Sequence, residues 1–126
     1  MKTIIISLFL FFSPFTYQQE IDINALRKDP VMIQYKRVMK ESMEAIENNR
    51  YKLPKDKSYQ KEISANPTKE NMIKVLKKNG VVNAKEYVES IFLQTTLMFS
   101  FLKKHPELSK LDPKKKSEII SKLIFD

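Results

Sequence analysis

Apolar side chains recur at helical spacing along most of the chain, and the longest such stretch covers residues 84–104. Residues 90–102 carry no charge, and the apolar positions of the stretch cover nearly the whole circumference of a helix. Asn83 and Glu86 match the pattern of a capping box at its start, and His105-Pro106 marks its end. One face carries Ala84, Tyr87, Val88, Ile91, Thr95, Met98, Phe99 and Leu102. Because such a helix must be covered on several sides, it is predicted to be the central helix of a small domain.

Shorter amphipathic helices are predicted on both sides of this stretch, and Asx-Pro pairs mark their starts. Asp29-Pro30 precedes a helix predicted to end at about Tyr51, and Asp112-Pro113 precedes the last helix of the chain. Asn66-Pro67 opens a further helix, with Asn66 as its N-cap. That helix ends at Gly80, the only glycine, where a helix C-terminus favours a positive φ.

The remaining segments are predicted to be connections. Residues 51–65 contain Pro54 and several lysines, and they are expected to form a surface connection with a helical turn near 58–64. Residues 19–29 are expected to be an N-terminal extension that holds either a short strand or one helical turn. The predicted fold is therefore all-α. Residues 30–126 are expected to form a single domain, either a four-helix bundle or an orthogonal helical array around the central helix.

The first residues have the pattern of an export signal. Lys2 precedes an apolar run that begins at Thr3, and at about ten residues the run is shorter than the ~20 that span a bilayer. We therefore expect residues 1–18 to be a signal peptide and the mature chain to lack a transmembrane span. The expected location is the periplasm or the extracellular space of a bacterium. An uncleaved signal anchor is the alternative interpretation.

The composition excludes several kinds of chemistry. The chain has no cysteine, which excludes disulfides and thiolate metal sites, and its single glycine excludes a glycine-rich phosphate loop. His105 is the only histidine, and it is interpreted as an exposed or capping residue that ends the central helix. No catalytic, cofactor-binding or metal-binding residue is predicted, and the protein is not expected to be an enzyme.

The candidate interaction residues form an apolar group and a basic group. If the other helices leave one flank of the central helix open, that flank would be a ligand groove or a partner surface, although complete burial is the favoured expectation. Lysines after the central helix and at the start of the last helix could bind an anionic polymer or membrane, although lysines at a helix C-terminus also complement its dipole. The apolar group is Phe92, Leu93, Leu97 and Phe101, and the basic group is Lys103, Lys104, Lys114, Lys115 and Lys116.

The net charge of +8 is spread diffusely along the chain. Neither arginines nor interleaved aromatic residues accompany the lysine clusters, so nucleic acid is not the expected partner. The leading hypothesis is a small exported, non-catalytic binding protein that engages a protein partner or an envelope component. The alternative is a basic protein that binds an anionic membrane or a polyanion through its lysine clusters.

Overall fold

The computed structural model describes residues 21–125, and every regular element in this range is an α-helix. The prediction of an all-α fold is therefore confirmed for the described residues, while the predicted signal peptide lies outside them. The helices, numbered in chain order, are α1 (Ile23–Arg27), α2 (Pro30–Glu47), α3 (Tyr59–Ala65), α4 (Lys69–Lys78), α5 (Ala84–Lys104), α6 (Pro106–Ser109) and α7 (Pro113–Phe125).

The two short helices α1 and α3 lie in the segments that were predicted to be an N-terminal extension and a surface connection. The N-terminal extension contains a helical turn, because Asp22 caps α1 by accepting a hydrogen bond from the Ala25 N–H at 3.2 Å. The buried side chain of Leu26 ties α1 to the core. Helix α3 occupies the turn that was predicted near residues 58–64.

Helices α2 and α5 lie antiparallel, and polar contacts join them at both ends. At one end the carboxylate of Asp29, just before α2, lies 2.6 Å from the imidazole of His105, just after α5. At the other end the guanidinium of Arg50 donates to the carboxylate of Glu86 at 2.8 Å, Nη2 to Oε1. Between these ends α2 buries Val38 and Ser42, which line a groove shared with Leu93 of α5.

The fully buried apolar side chains form two separate clusters at opposite ends of α5. Between Val88 and Phe101, α5 contributes no residue that is fully buried. The N-terminal cluster contains Tyr51, Leu76, Val81, Ala84 and Val88. The C-terminal cluster contains Leu26, Met32, Phe101, Leu108, Leu111 and Leu123. Helix α4 supplies the first cluster and helices α1, α6 and α7 supply the second, so the short helices cover the two ends of α5.

Two helix starts differ from the prediction. Thr68, and not Asn66, caps α4 by accepting a hydrogen bond from the Asn71 N–H at 3.2 Å, because Asn66 already terminates α3. The predicted capping box of α5 does not form. Asn83 adopts a left-handed backbone conformation with φ 55°, and its side-chain amide donates to the Arg50 carbonyl at 3.2 Å. The Asn83 side chain therefore makes a tertiary hydrogen bond instead of the capping bond that the local sequence predicts.

Helix α2 is shorter than predicted and ends at Glu47 instead of about Tyr51. The turn that follows contains Asn49 and Lys52 with φ of 57° and 52°, which a helix cannot accommodate. The same turn carries Tyr51 into the N-terminal cluster. The prediction for Gly80 is confirmed, since its φ is +87° directly after the C-cap of α4.

The division of the core predicts very different effects for two truncations on α5. Phe101→Ala removes a fully buried ring and is expected to lower the free energy of unfolding by about 3–5 kcal/mol. Leu93→Ala removes a side chain that is 43% exposed, so its expected effect is about 1 kcal/mol or less. Urea denaturation of both variants measures the difference. Similar losses would show that the middle of α5 is packed as tightly as its end.

Candidate functional site

The other helices cover the middle of α5 less than they cover its two ends. Helix α5 has 21 residues, which makes it about 31 Å long at 1.5 Å per residue. Helix α4 has 10 residues, which is about 15 Å, and the α5 residues that it packs against lie between Ala84 and Phe92. The C-terminal cluster begins again only at Met98. Between these limits α2 is the main neighbour of α5.

One groove runs between α2 and the α5 face that continues beyond α4. It has a volume of about 300 Å³. Phe99 stands at its edge with 68% of its surface exposed, beside the half-buried Met98 and Tyr35. We call this groove the Phe99 groove, and its lining residues are Tyr35, Ile91, Gln94, Thr95, Met98 and Phe99.

A second groove, of about 420 Å³, lies on the opposite face of α5 and is more polar. Leu93 is its main exposed apolar residue. Near it, the hydrogen bond from Arg50 holds the pKa of Glu86 below its usual range, and Lys69 Nζ lies 3.9 Å from Glu89 Oε1. The charged groups of this groove are thus partly neutralised by contacts within the protein.

The structure distributes the four apolar candidate residues over different environments. Phe101 is sealed in the C-terminal cluster, and Phe92 packs against the N-terminal cluster. Leu97 is half-buried, and Leu93 is exposed beside the polar groove. These residues therefore do not form one surface, and of the four only Phe101 is completely buried, as the favoured expectation required of all of them.

Phe99 is the exposed aromatic residue of α5, and it is not among the candidate interaction residues predicted from the sequence. Its helical position matches that of Ala84 and Val88, which are buried, and this periodicity indicated a buried residue. The lengths of the predicted helices would have indicated that Phe99 is exposed. A helix that ends at Gly80 after about three turns is too short to cover an α5 stripe of nearly six turns.

The five candidate lysines do not act as one uniform cluster. Lys104 is engaged at the C-terminal end of α5, where its Nζ lies 3.0 Å from Asp29 Oδ2. Lys103, Lys114 and Lys115 are exposed, and Lys116 is half-buried. At the start of α7 the Asp112 side chain accepts a hydrogen bond from the backbone N–H of Lys115 at 2.9 Å, which caps the helix and leaves the lysine ammonium groups out of this contact.

His105 lies in a polar junction and not simply at an exposed helix end. Its Nε2 is 2.6 Å from Asp29 Oδ2 and its Nδ1 is 3.3 Å from Glu107 Oε1. The ring also packs on Phe101 with a centroid distance of 4.7 Å. With a carboxylate at each nitrogen and a buried aromatic ring beside it, His105 joins the α1–α2 corner to the α5–α6 corner.

Asp29 is the buried charge of this junction. Burial raises the pKa of its carboxyl, but hydrogen bonds from His105, Lys104 and the Val31 N–H outweigh burial and lower the pKa to about 2. The Val31 bond, at 2.8 Å, is also the N-cap of α2. One carboxylate therefore caps α2 and fixes the end of α5. No group of three or more His, Asp or Glu side chains within residues 21–125 is placed to hold a metal ion.

Comparison with known protein-family models, curated proteins and solved structures finds no match to this chain. None of the helices within residues 21–125 combines the length and the apolar content that a membrane crossing requires. The function must therefore be inferred from the surface that the described helices create, and the Phe99 groove is the candidate surface because its exposed aromatic residue lies within a long helix.

The lowered pKa of Asp29 predicts how the free energy of unfolding decreases in acid. Its pKa is about 2 in the folded protein against an ordinary 3.8, so its contribution is complete above 3.8 and is lost as the pH falls through about 2. The shift corresponds to about 2 kcal/mol. Urea denaturation at a series of acidic pH values should show this loss in the natural protein and a flatter profile in Asp29→Asn. Glu118→Gln, an exposed carboxylate of α7, serves as control and should keep the loss. An unchanged acid profile in Asp29→Asn would contradict this assignment.

Proposed function

We propose that this protein is a small exported binding protein without catalytic activity of its own. It engages a protein partner in the bacterial envelope or the extracellular space. The binding surface in this proposal is the Phe99 groove, with Phe99 as the anchor that enters a pocket of the partner. The proposed export rests on the sequence pattern of residues 1–18, in which Lys2 is followed by a short apolar run.

The exposure of Phe99 in the middle of a long helix carries this proposal. Phe125 is similarly exposed, at 71%, but it lies at the last position of α7, where helix ends fray and burial is incomplete. Phe99 has helical backbone on both sides and cannot turn inward without moving α5. Aromatic side chains that project from a rigid element supply much of the binding energy in protein interfaces, because they lose little conformational entropy on burial.

The neighbours of Phe99 resemble the centre and rim of an interface. Met98 is flexible and polarisable, so it adapts to the shape of a partner. Tyr35, Gln94 and Thr95 add hydroxyl and amide groups around the apolar centre, which matches the polar rim of protein–protein contacts. The Phe99 ring projects outward, and a projecting ring suits a partner with a complementary pocket better than it suits a small molecule.

A second candidate function uses the same region but a different partner. Lys103 follows Phe99 by four residues and therefore lies next to it on α5. An exposed aromatic ring beside a lysine is suited to an anionic membrane, where the ring enters the interface and the ammonium group binds phosphate. This arrangement favours the alternative of an anionic-surface binder, in which Lys103, Lys114 and Lys115 supply the charge.

Site-specific photo-crosslinking in the producing bacterium separates these two functions. Benzoylphenylalanine replaces Phe99 in one variant and Phe125 in a matched control, because both rings are exposed and neither replacement disturbs a buried cluster. We expect one discrete protein adduct from position 99 that is absent from position 125. Mass spectrometry of the adduct identifies the partner.

Other outcomes of this experiment are equally informative. Lipid adducts at position 99 would favour the anionic membrane as partner. Equal adduct patterns at positions 99 and 125, or no adduct at position 99, would contradict a binding surface at the Phe99 groove. The molecular mass of the secreted or periplasmic protein, measured in the same samples, tests whether residues 1–18 are removed.

A further inference from the structure

Asn79 and Gly80 form the corner between α4 and α5, and this pair of residues can undergo a reaction of its own. In an Asn-Gly sequence the glycine has no side chain to obstruct its backbone nitrogen, which can attack the side-chain carbonyl carbon of the asparagine. A bond forms between the Gly80 nitrogen and Asn79 Cγ, the Cγ–Nδ2 bond breaks, and the Gly80 amide proton leaves with Nδ2 as ammonia. Water then opens the cyclic imide at either carbonyl, which leaves aspartate or isoaspartate at position 79. No oxidant, reductant or enzyme is required.

The fold holds both reacting groups away from this reaction. Asn79 Nδ2 donates a hydrogen bond to the Val75 carbonyl at 2.8 Å, which turns the side chain back along α4. The Gly80 N–H donates to the Lys77 carbonyl at 3.0 Å, so the attacking nitrogen is engaged as well. The backbone of Asn79 is also fixed, with φ −93° and ψ 12°, because its N–H donates to the carbonyls of Val75 and Leu76 at 3.1 Å each.

Packing of the corner keeps these hydrogen bonds closed. The N–H of Val81 donates to the Leu76 carbonyl at 3.0 Å, and both side chains are buried in the N-terminal cluster. To bring the Gly80 nitrogen onto Asn79 Cγ, the chain has to break the Nδ2 bond and rotate Asn79 out of its near-helical conformation. That rotation pulls on the residues that hold α4 against α5.

We propose that Asn79 is a deamidation site that the native fold keeps closed, so that it converts only in molecules whose α4–α5 corner has opened. The reaction then marks molecules that have spent time unfolded at this corner. The modification is also self-reinforcing. A carboxylate at position 79 cannot donate to the Val75 carbonyl, and it places a negative charge at the C-terminus of α4, where the helix dipole opposes it.

The test compares the rate of conversion in folded and unfolded protein. The purified protein is kept in mildly alkaline buffer with and without guanidinium chloride, and samples are digested with trypsin. Peptide 79–85 carries both Asn79 and Asn83, so the slower Asn-Ala pair is an internal control within one peptide. We expect Asn79 to gain the mass of deamidation quickly when unfolded, and at least about 10-fold more slowly when folded, since the reaction then waits for local opening. Equal rates at Asn79 in the two samples would overturn the proposal.

A pair of variants separates protection by the corner from protection by the whole fold. Leu76→Val loosens the N-terminal cluster, and Leu123→Val makes the same change in the C-terminal cluster, where the leucine is also fully buried. We expect the folded-state rate at Asn79 to rise several-fold more in Leu76→Val than in Leu123→Val. Equal acceleration in both variants would show that only global unfolding exposes Asn79, and would overturn the assignment to the corner. If Leu76→Val does not fold, the milder pair Leu76→Met and Leu123→Met makes the same comparison, because volume-conserving apolar replacements usually cost little stability.

After unfolding, conversion and refolding, the deamidated and intact fractions can be separated by their charge. The deamidated fraction is expected to have a lower thermal midpoint than the intact fraction from the same sample. Equal midpoints would contradict the self-reinforcing effect of the carboxylate at position 79.

Discussion

The length of α5 is the constraint on which the rest of this structure depends. At 21 residues it needs apolar cover along about 31 Å, and α2, with 18 residues or about 27 Å, is the one described helix of comparable length. The other helices cover α5 only near its ends, so the apolar core separates into two clusters. The exposure of Phe99 in the middle of α5 follows from this difference in length between α5 and the helices that cover it.

The contact between α2 and α5 must therefore hold the two halves of the molecule together. Polar groups secure it at the ends, with Asp29 and His105 at one end and Arg50 and Glu86 at the other. Between these ends α2 buries Val38 and Ser42, while the residues of α5 from 89 to 100 are only partly buried or exposed. Polar contacts at both ends limit how far α2 and α5 can move relative to each other beside the Phe99 groove. A binding surface benefits from such preorganisation, because less conformational freedom is lost when a partner binds.

The helices of this fold could be predicted from the sequence, because their starts and ends depend on a few neighbouring residues. The roles of side chains that bond to residues far away in the chain could not. The caps at Asp29 and the positive φ of Gly80 were predictable, since both depend on a few neighbouring residues. The role of Asn83 was not, because its side chain bonds to the Arg50 carbonyl, 33 residues away. The place of His105 in a junction with Asp29 likewise depends on how α2 packs against α5, 76 residues apart along the chain.

The candidate site failed to appear in the sequence for a related reason. Helical periodicity states which residues share a face of α5, but burial depends on whether a second helix reaches them. Phe99 and Val88 share a face, yet Val88 is fully buried and Phe99 is exposed. The lengths of the predicted helices would have indicated the difference, because the helix that ends at Gly80 is too short to reach Phe99.

The most direct test of the divided core is the reactivity of single cysteines placed along α5. Because the chain has no cysteine of its own, Phe99→Cys and Phe101→Cys each introduce one thiol, whose reaction with a disulfide reagent reports its access to solvent. We predict that the thiol at position 99 reacts within about 10-fold of its rate in denatured protein, whereas the thiol at position 101 is protected by at least about 100-fold, because it reacts only after local opening. Strong protection at both positions would show that the middle of α5 is covered, and would contradict the divided core.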